Sequence, residues 1–237
     1  MNKRLLAIAS HVTAGKGLID VGTDHGFLPV ELAKRGYPGK LFASDINKEP
    51  LASARRTAER AGLTDRIGFL LCDGLSLCEP DQVDTIVIAG MGGDLICRIL
   101  DCAEWTMDAR YTLLLQPMTK AEVLRYWLSN NEYGIQCEDI VWDGGKLYQL
   151  MCVRFGERRP LSDSELFIGE MSLVRSNPLF PRLLETQIAR ISAQLDGLEQ
   201  GRDTNAQGKI RLLSGILQEM EEMKANADSR GDLSVPL

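Results

Sequence analysis

The chain has 237 residues, with 27 Lys and Arg against 33 Asp and Glu and a net charge of −6. Apolar residues make up 44% and charged residues 25%, which excludes a disordered chain and gives a core large enough to fold without disulfides or a structural metal. No apolar run approaches the roughly 18 residues that span a bilayer, and the acidic balance argues against a general nucleic-acid binder while leaving room for a local basic face.

Met1 to Ser10 begins like a signal peptide, but the apolar run stops at His11 and Gly15-Lys16-Gly17 offers no cleavage site. The segment therefore reads as a short helix of a cytoplasmic protein. Short apolar runs then alternate with helical stretches. Strands are predicted at Gly17–Val21, Lys40–Asp45, Ile67–Leu71, Asp84–Ala89 and Tyr111–Leu115. Between them lie helices over Leu28–Arg35, closed by Gly36, and over Lys48–Ala61, with Asn47 as N-cap and Gly62 as stop. Gly92–Leu100 also reads as helix, and Thr119-x-x-Glu122 reads as a capping box opening a helix to about Asn130. Two strands follow, Tyr133–Trp142 and Lys146–Phe155, joined by Asp143-Gly144-Gly145 as an antiparallel hairpin. Five β-α units ending in a hairpin differ from a plain doubly wound sheet, where the sixth strand would arrive through a helix.

Beyond Arg158-Arg159-Pro160 the strands stop. Ser162-x-x-Glu165 forms a second capping box, and Pro178 and Pro181 break the chain. Leu184, Ile188, Ile191, Leu195 and Leu198 step by four, three, four and three, and Ala206, Ile210, Leu213, Leu217 and Met220 repeat the pattern. A polar turn, Gly201 to Asn205, joins these seams into an antiparallel helical hairpin, and the last dozen residues look frayed. The division is residues 1–158 for an α/β domain and 159–237 for the hairpin. The six cysteines (72, 78, 97, 102, 137 and 152) make no C-x-x-C pair, and there are two histidines, so no metal site is expected and the thiols read as small buried hydrophobes.

The loop after the first strand is Asp20-Val21-Gly22-Thr23-Asp24-His25-Gly26. It is not G-x-G-x-x-G, because Asp24 stands at the middle glycine position and a carboxylate sits badly against a pyrophosphate. Asp20 and Asp24 suit a cationic ligand instead, and S-adenosylmethionine offers an ammonium and a sulfonium without phosphate. Asp45 ends the second strand 23 positions after Gly22, where a carboxylate accepts from a ribose diol. Asp73, before Gly74, follows the third strand and can take the exocyclic amine of adenine. Three acidic residues at three successive strand ends converge where such sheets bind ligands. Strand four ends in Ala89-Gly90-Met91-Gly92-Gly93, with no side chain to activate an amine. That suits a target such as adenine N1, whose lone pair is free at neutral pH, so that proximity and orientation supply most of the rate. His25 reads as a scaffold more than as a base, and Met91 as a wall of the substrate pocket.

Ile19-Asp20-Val21-Gly22-Thr23-Asp24-His25-Gly26-Phe27-Leu28-Pro29 together with Ile88-Ala89-Gly90-Met91-Gly92-Gly93-Asp94-Leu95-Ile96 closely resembles the bacterial tRNA (adenine-N1)-methyltransferase family acting on position 22. Leu113-Leu114-Leu115-Gln116-Pro117 and Arg4-Leu5-Leu6-Ala7-Ile8-Ala9 also match, while Phe27, Lys48-Glu49-Pro50 and Met118 depart from the family pattern. The resemblance implies a Rossmann-like, seven-stranded class I methyltransferase with a C-terminal antiparallel coiled-coil hairpin. It implies S-adenosylmethionine as cofactor and tRNA as partner, with no membrane and no metal, and leaves the oligomeric state open, a monomer being favoured. The cofactor is expected at Asp20, Gly22, Asp24, Asp45, Ile46, Asp73, Gly74, Ala89 and Gly90. Substrate contacts are expected from Phe27, Met91, Gly92, Gln116 and Pro117, and catalytic roles from Asp24 and His25. Residues 1–156 carry 17 basic and 20 acidic side chains and residues 157–237 carry 10 and 13, so RNA contact must come from local clusters. These are Lys3/Arg4, Lys34/Arg35, Arg55/Arg56/Arg60, Arg158/Arg159, and Arg175, Arg182, Arg190, Lys209 and Arg211 on the appendage. The alternatives are a small-molecule methyltransferase, with the hairpin as lid or dimer contact, and a non-catalytic adenosine-cofactor module whose hairpin docks a protein.

Overall fold

The structure, a computed structural model, describes residues 2–156, 158–200 and 206–229. The turn predicted at Gly201–Asn205 and the tail beyond residue 229 lie outside the described residues. The chain divides into two compact units, Met1–Pro160 and Leu161–Leu237.

In the first unit the strands are β1 (Gly17–Val21), β2 (Lys40–Asp45), β3 (Ile67–Leu71), β4 (Thr85–Gly92), β5 (Thr112–Thr119), β6 (Tyr133–Asp143) and β7 (Lys146–Phe155). They form one seven-stranded sheet in the order β3-β2-β1-β4-β5-β7-β6. The first five strands pair in parallel, and β7 runs antiparallel to both β5 and β6. The order reverses direction at β1, between β2 and β4, which opens a crevice at the carboxyl ends. Helices α1 (Lys3–His11), α2 (Phe27–Lys34), α3 (Lys48–Arg60), α4 (Gly93–Asp101) and α5 (Ala121–Asn130) complete the unit. Alternate strand residues feed two cores. Ile19, Ile86, Ile88, Leu113 and Leu115 pack with Ile96 and Leu100 of α4 and Leu124 and Leu128 of α5. Leu18, Leu41, Val87 and Leu114 pack with Ile8 of α1, Leu28 and Leu32 of α2 and Ala58 of α3. Both faces are covered, which is why the central strands read as continuous apolar runs.

Four local expectations change. β4 does not stop at Ala89. Irregularities between Ala89, Met91 and Gly92 let it pair on, with Met91 opposite Pro117 and Gly92 opposite Thr119. Thr119 is thereby a strand residue and caps nothing; Lys120, at φ 57°, takes the N-cap position of α5 without a side-chain cap. The Asn47 side chain makes no cap either, and its backbone N–H donates to Asp45 Oδ1 at 2.8 Å. Asp143 pairs with Lys146, so the β6–β7 turn is Gly144-Gly145 alone, both at positive φ (55° and 80°), as a two-residue hairpin turn matched to strand twist requires.

The second unit contains α6 (Asp163–Ile168), α7 (Met171–Val174), α8 (Phe180–Gln200) and α9 (Gln207–Ser229). The Ser162 capping box forms: Glu165 N donates to Ser162 Oγ at 3.2 Å, and Ser162 N to Glu165 Oε2 at 2.9 Å. Pro181 does not break the chain; it lies in the first turn of α8, where a missing N–H costs no helical bond. α8 and α9 pack together, and the 2.8 Å ion pair of Lys224 near the end of α9 with Glu185 near the start of α8 makes them antiparallel. Leu184, Ile191, Leu195, Ala206, Leu213 and Met220 are buried, while Ile188, Leu198, Ile210 and Leu217 are half-buried. Leu183, Gln187 and Ile216 are also buried, so the apolar stripe is wider than a heptad seam because α6 packs on both long helices.

Candidate active site

The loop between β1 and α2 is held by its own residues. Thr23 Oγ1 donates to Asp20 Oδ2 at 2.6 Å, and the backbone N–H groups of Gly22 and Thr23 both donate to Ser44 O of β2. Gly22 has φ 70°, and a Cβ there would run into the Met91 methyl, so a larger residue would strain the turn and push the Met91 side chain aside. Met91 thus reaches from β4 over the β1 loop. Asp20 is 6% exposed, and burial pushes its carboxyl up to about 7; the Thr23 hydroxyl and the Arg4 charge act against that rise, and Asp45 adds to it. Asp24 lies in the left-handed region at φ 51°, a conformation aspartate tolerates, and its side chain is 72% exposed. His25 is fixed on two sides, with Nδ1 2.7 Å from Ser53 Oγ of α3 and Nε2 3.5 Å from Asp24 Oδ2. Its ring lies 5.3 Å from that of Phe27, itself 46% exposed.

Asp45, at the end of β2, is half-buried, and Ile46 beside it is exposed. Asp73 is exposed after β3, next to half-buried Gly74, while Ala89 is half-buried and Gly90 exposed in the last stretch of β4. All of these stand at or just beyond the carboxyl ends of β1 to β4. Two residues expected to contact substrate are buried. Gln116 is 1% exposed and both ends of its amide are taken: Oε1 accepts from Arg4 Nη1 at 2.6 Å, and Nε2 donates to Pro117 O at 2.8 Å. Pro117 is buried as well. The residue that emerges there is Met118, 43% exposed, because β5 is covered on both faces through Pro117 and leaves the core beyond it. Gly92 is half-buried against the Thr119 hydroxyl.

Three residues of the site escaped the sequence reading as such: Thr23, Ser53 and Arg4. By sequence Arg4 stands with Lys3 among the cations expected to contact RNA. Its guanidinium instead bonds Gln116, lies 5.7 Å from the Tyr148 ring centre, and stands 3.4 Å from where a Gly90 Cβ would be. The signals for it were its place in the Arg4-Leu5-Leu6-Ala7-Ile8-Ala9 stretch that matches the family and on the apolar-striped N-terminal helix, which had to dock somewhere. Among the described residues no group of three or more His, Cys, Asp or Glu side chains could hold a metal, and no helix is long and apolar enough to cross a membrane.

Five parallel strands closed by an antiparallel β7–β6 edge, acidic residues at the strand ends and a β1 loop without the G-x-G-x-x-G pattern together suit a methyltransferase class of site. The chain belongs to the methyltransferase-domain family, whose profile matches residues 1–151. It is 27% identical over 229 residues to the tRNA (adenine(22)-N(1))-methyltransferase of Bacillus subtilis, covering 94% of this chain and 96% of that one. Its fold matches the crystal structure of the B. subtilis m1A22 tRNA methyltransferase with TM-score 0.84, 26% identity and coverage of 94% and 98% of the two chains. It also matches Streptococcus pneumoniae Sp1610, solved in complex with S-adenosyl-L-methionine, with TM-score 0.80, 32% identity and coverage of 94% and 98%.

Proposed function

We propose that the protein transfers the methyl group of S-adenosylmethionine to N1 of adenosine 22 in tRNA. The observation that carries this reading is that the likeness to the B. subtilis enzyme spans 94% of the chain, helical unit included, whereas a generic methyltransferase would match the first unit alone. The residues of the crevice suit the cofactor: Asp20 and Asp24 for its ammonium end, Asp45 for the ribose diol, Asp73 with Gly74 for the adenine, and Gly22, Ala89 and Gly90 for close backbone approach. When bound, the cofactor supplies an electrophilic methyl on a sulfonium.

The chain's own part is positioning and charge. Adenine N1 carries a free lone pair at neutral pH, so no residue has to remove a proton first. Asp24 provides negative charge as positive charge moves onto the ring, and His25, pinned by Ser53, orients Asp24 or the base. Phe27 and Met91 wall the base, with Gly92 allowing it close; Gln116 acts by holding Arg4. Position 22 must be exposed or flipped to react, at a cost of a few kcal/mol. The exposed cations Arg175, Arg182, Lys209 and Arg211 of the helical unit supply phosphate contacts, and the enzyme works in the cytoplasm.

The test is incubation of the purified chain with S-adenosylmethionine and unmodified tRNA, followed by nuclease digestion and mass spectrometry. The expected product is 1-methyladenosine in the fragment containing position 22. Cofactor binding with no tRNA product overturns the reading in favour of a small-molecule enzyme or a non-catalytic module.

A further inference from the structure

Outside the site, one cluster brings two sulfurs, an imidazole and a carboxylate together. Cys137 of β6 and Cys152 of β7 are direct partners across the antiparallel ladder, next to the register shift between Ile135 and Cys137. Directly opposed residues point to the same face, with Cα atoms roughly 4.5–5.5 Å apart, which lies inside the span of a disulfide. The two thiols are free, and both are half-buried, open enough for a small reagent. His11, the last residue of α1, sits beside them, with Nδ1 3.5 Å from Cys137 Sγ and Nε2 3.6 Å from Asp139 Oδ2. Because the two ring nitrogens serve partners on opposite edges of the imidazole, the four side chains cannot converge on one metal ion.

The protonation states favour thiol chemistry. Asp139 and Cys137 raise His11 to about 10, so it is an imidazolium at neutral pH. The Cys152 thiol is lowered, chiefly by the hydrogen bond from Cys137 and with help from Arg154, against the effect of burial. Cys137 is itself raised, by its contact with Cys152 and by burial, so it keeps its proton and Cys152 is the thiolate of the pair; burial pushes Cys78 up to about 11 and Cys97 up to about 12 with no lowered thiol beside them.

We propose that Cys137 and Cys152 are a redox-modification site that closes to a reversible disulfide on reaction with a small hydroperoxide. The Cys152 thiolate attacks one peroxide oxygen. An S–O bond forms, the O–O bond breaks, and the leaving hydroxide takes a proton from His11 to give water. The Cys137 sulfur then attacks Cys152; the S–S bond forms, the S–O bond breaks, and the departing hydroxide takes the Cys137 proton to leave as a second water. Two thiols are oxidised to one disulfide, one hydroperoxide is reduced, and His11 recovers its proton from solvent.

The test treats the folded, full-length chain with hydrogen peroxide, alkylates the remaining thiols, and measures intact mass and a peptide map. The expected result is loss of two hydrogens, about 2 Da, with residues 137 and 152 linked, reversal by dithiothreitol, and Cys72, Cys78 and Cys97 still alkylated after denaturation. The Cys137→Ser variant should stop at a dimedone-reactive sulfenic acid on Cys152, and His11→Gln should slow the reaction about tenfold. Three results would overturn the proposal: both cysteines alkylated while exposed Cys102 oxidises, a link that forms as fast in urea as in the folded chain, or an unchanged rate in His11→Gln.

Discussion

β1 is buried at all five of its positions, whereas α8 buries six of its 21 residues. The inner parallel strands β1, β2, β4 and β5 each lie between two neighbours and under helices on both faces, so the carboxyl ends of β1, β2 and β4 hold the Asp20, Asp45 and Gly90 positions within narrow limits. The helical unit commits one stripe to packing and leaves the rest of its surface to polar side chains, Arg182, Lys209 and Arg211 among them. A rigid frame suits the cofactor and methyl transfer, where small displacements cost rate. A long, exposed, two-helix surface suits a large, charged partner whose contacts are many and individually weak.

The largest expected effect separates the units outright. A chain ending at Pro160 should bind S-adenosylhomocysteine within about twofold of the full chain and lose tRNA affinity by on the order of 10³-fold, measured by calorimetry and filter binding at fixed salt. Undiminished tRNA binding would move the RNA contacts onto the first unit and reassign the hairpin.

Core truncations sharpen the contrast. Ile88→Ala, in a strand buried on both sides, should cost about 4 kcal/mol in denaturant unfolding and abolish cofactor binding. Ile191→Ala, on the α8 stripe, should cost about 2 kcal/mol and leave cofactor binding intact. Equal loss of binding in both would mean the two units fold as one.

Within the frame, Asp24→Asn should lower kcat about 10²-fold in single-turnover methylation with cofactor saturating, as for removal of one electrostatic stabiliser, and His25→Ala should cost less. The reverse ranking would make histidine the catalytic group.

The buried Asp20 predicts a pH effect opposite in sign to that of an ordinary paired carboxylate. Its folded value of about 7 lies above the ordinary 3.8, so the native chain holds this proton more tightly than the unfolded chain. Its contribution to stability is therefore fully present below about pH 4 and is lost as pH rises to about 7. The ligand's ammonium favours the ionised form, so S-adenosylhomocysteine affinity should fall roughly fivefold from pH 7 to pH 6, with proton release seen in buffers of different ionisation heat. Asp20→Asn should remove both effects.

The smallest effect lies at the seat of α1. His11 is raised from 6.5 to about 10, so its pairing stabilises the fold fully below pH 6.5 and ceases to do so as pH rises through 10. Discounted for partial exposure, His11→Gln should cost about 1 kcal/mol at pH 7 and much less above pH 10, in thermal melts of both proteins.

Short, mostly apolar runs bounded by turn residues were enough to place β1, β2 and β3 at their observed limits, because a strand covered by helices on both faces needs apolar side chains at most positions and ends where the backbone turns. The acidic strand ends and the two helical seams were legible for the same local reason. The Cys137–Cys152 pairing was written in the sequence as well, since a two-residue Gly144-Gly145 turn sets it by register; counting Asp143 as part of the turn shifts the register by one and hides it. Tertiary structure alone decided the rest. β4 continues past Ala89 because β5 offers it partners, and Thr119 loses its cap for that reason. Arg4 meets Gln116 across 112 positions, and His11 meets Cys137 across 126. Local propensity carries no information at such separations; where α1 docks depends on which side chains two packed surfaces bring together.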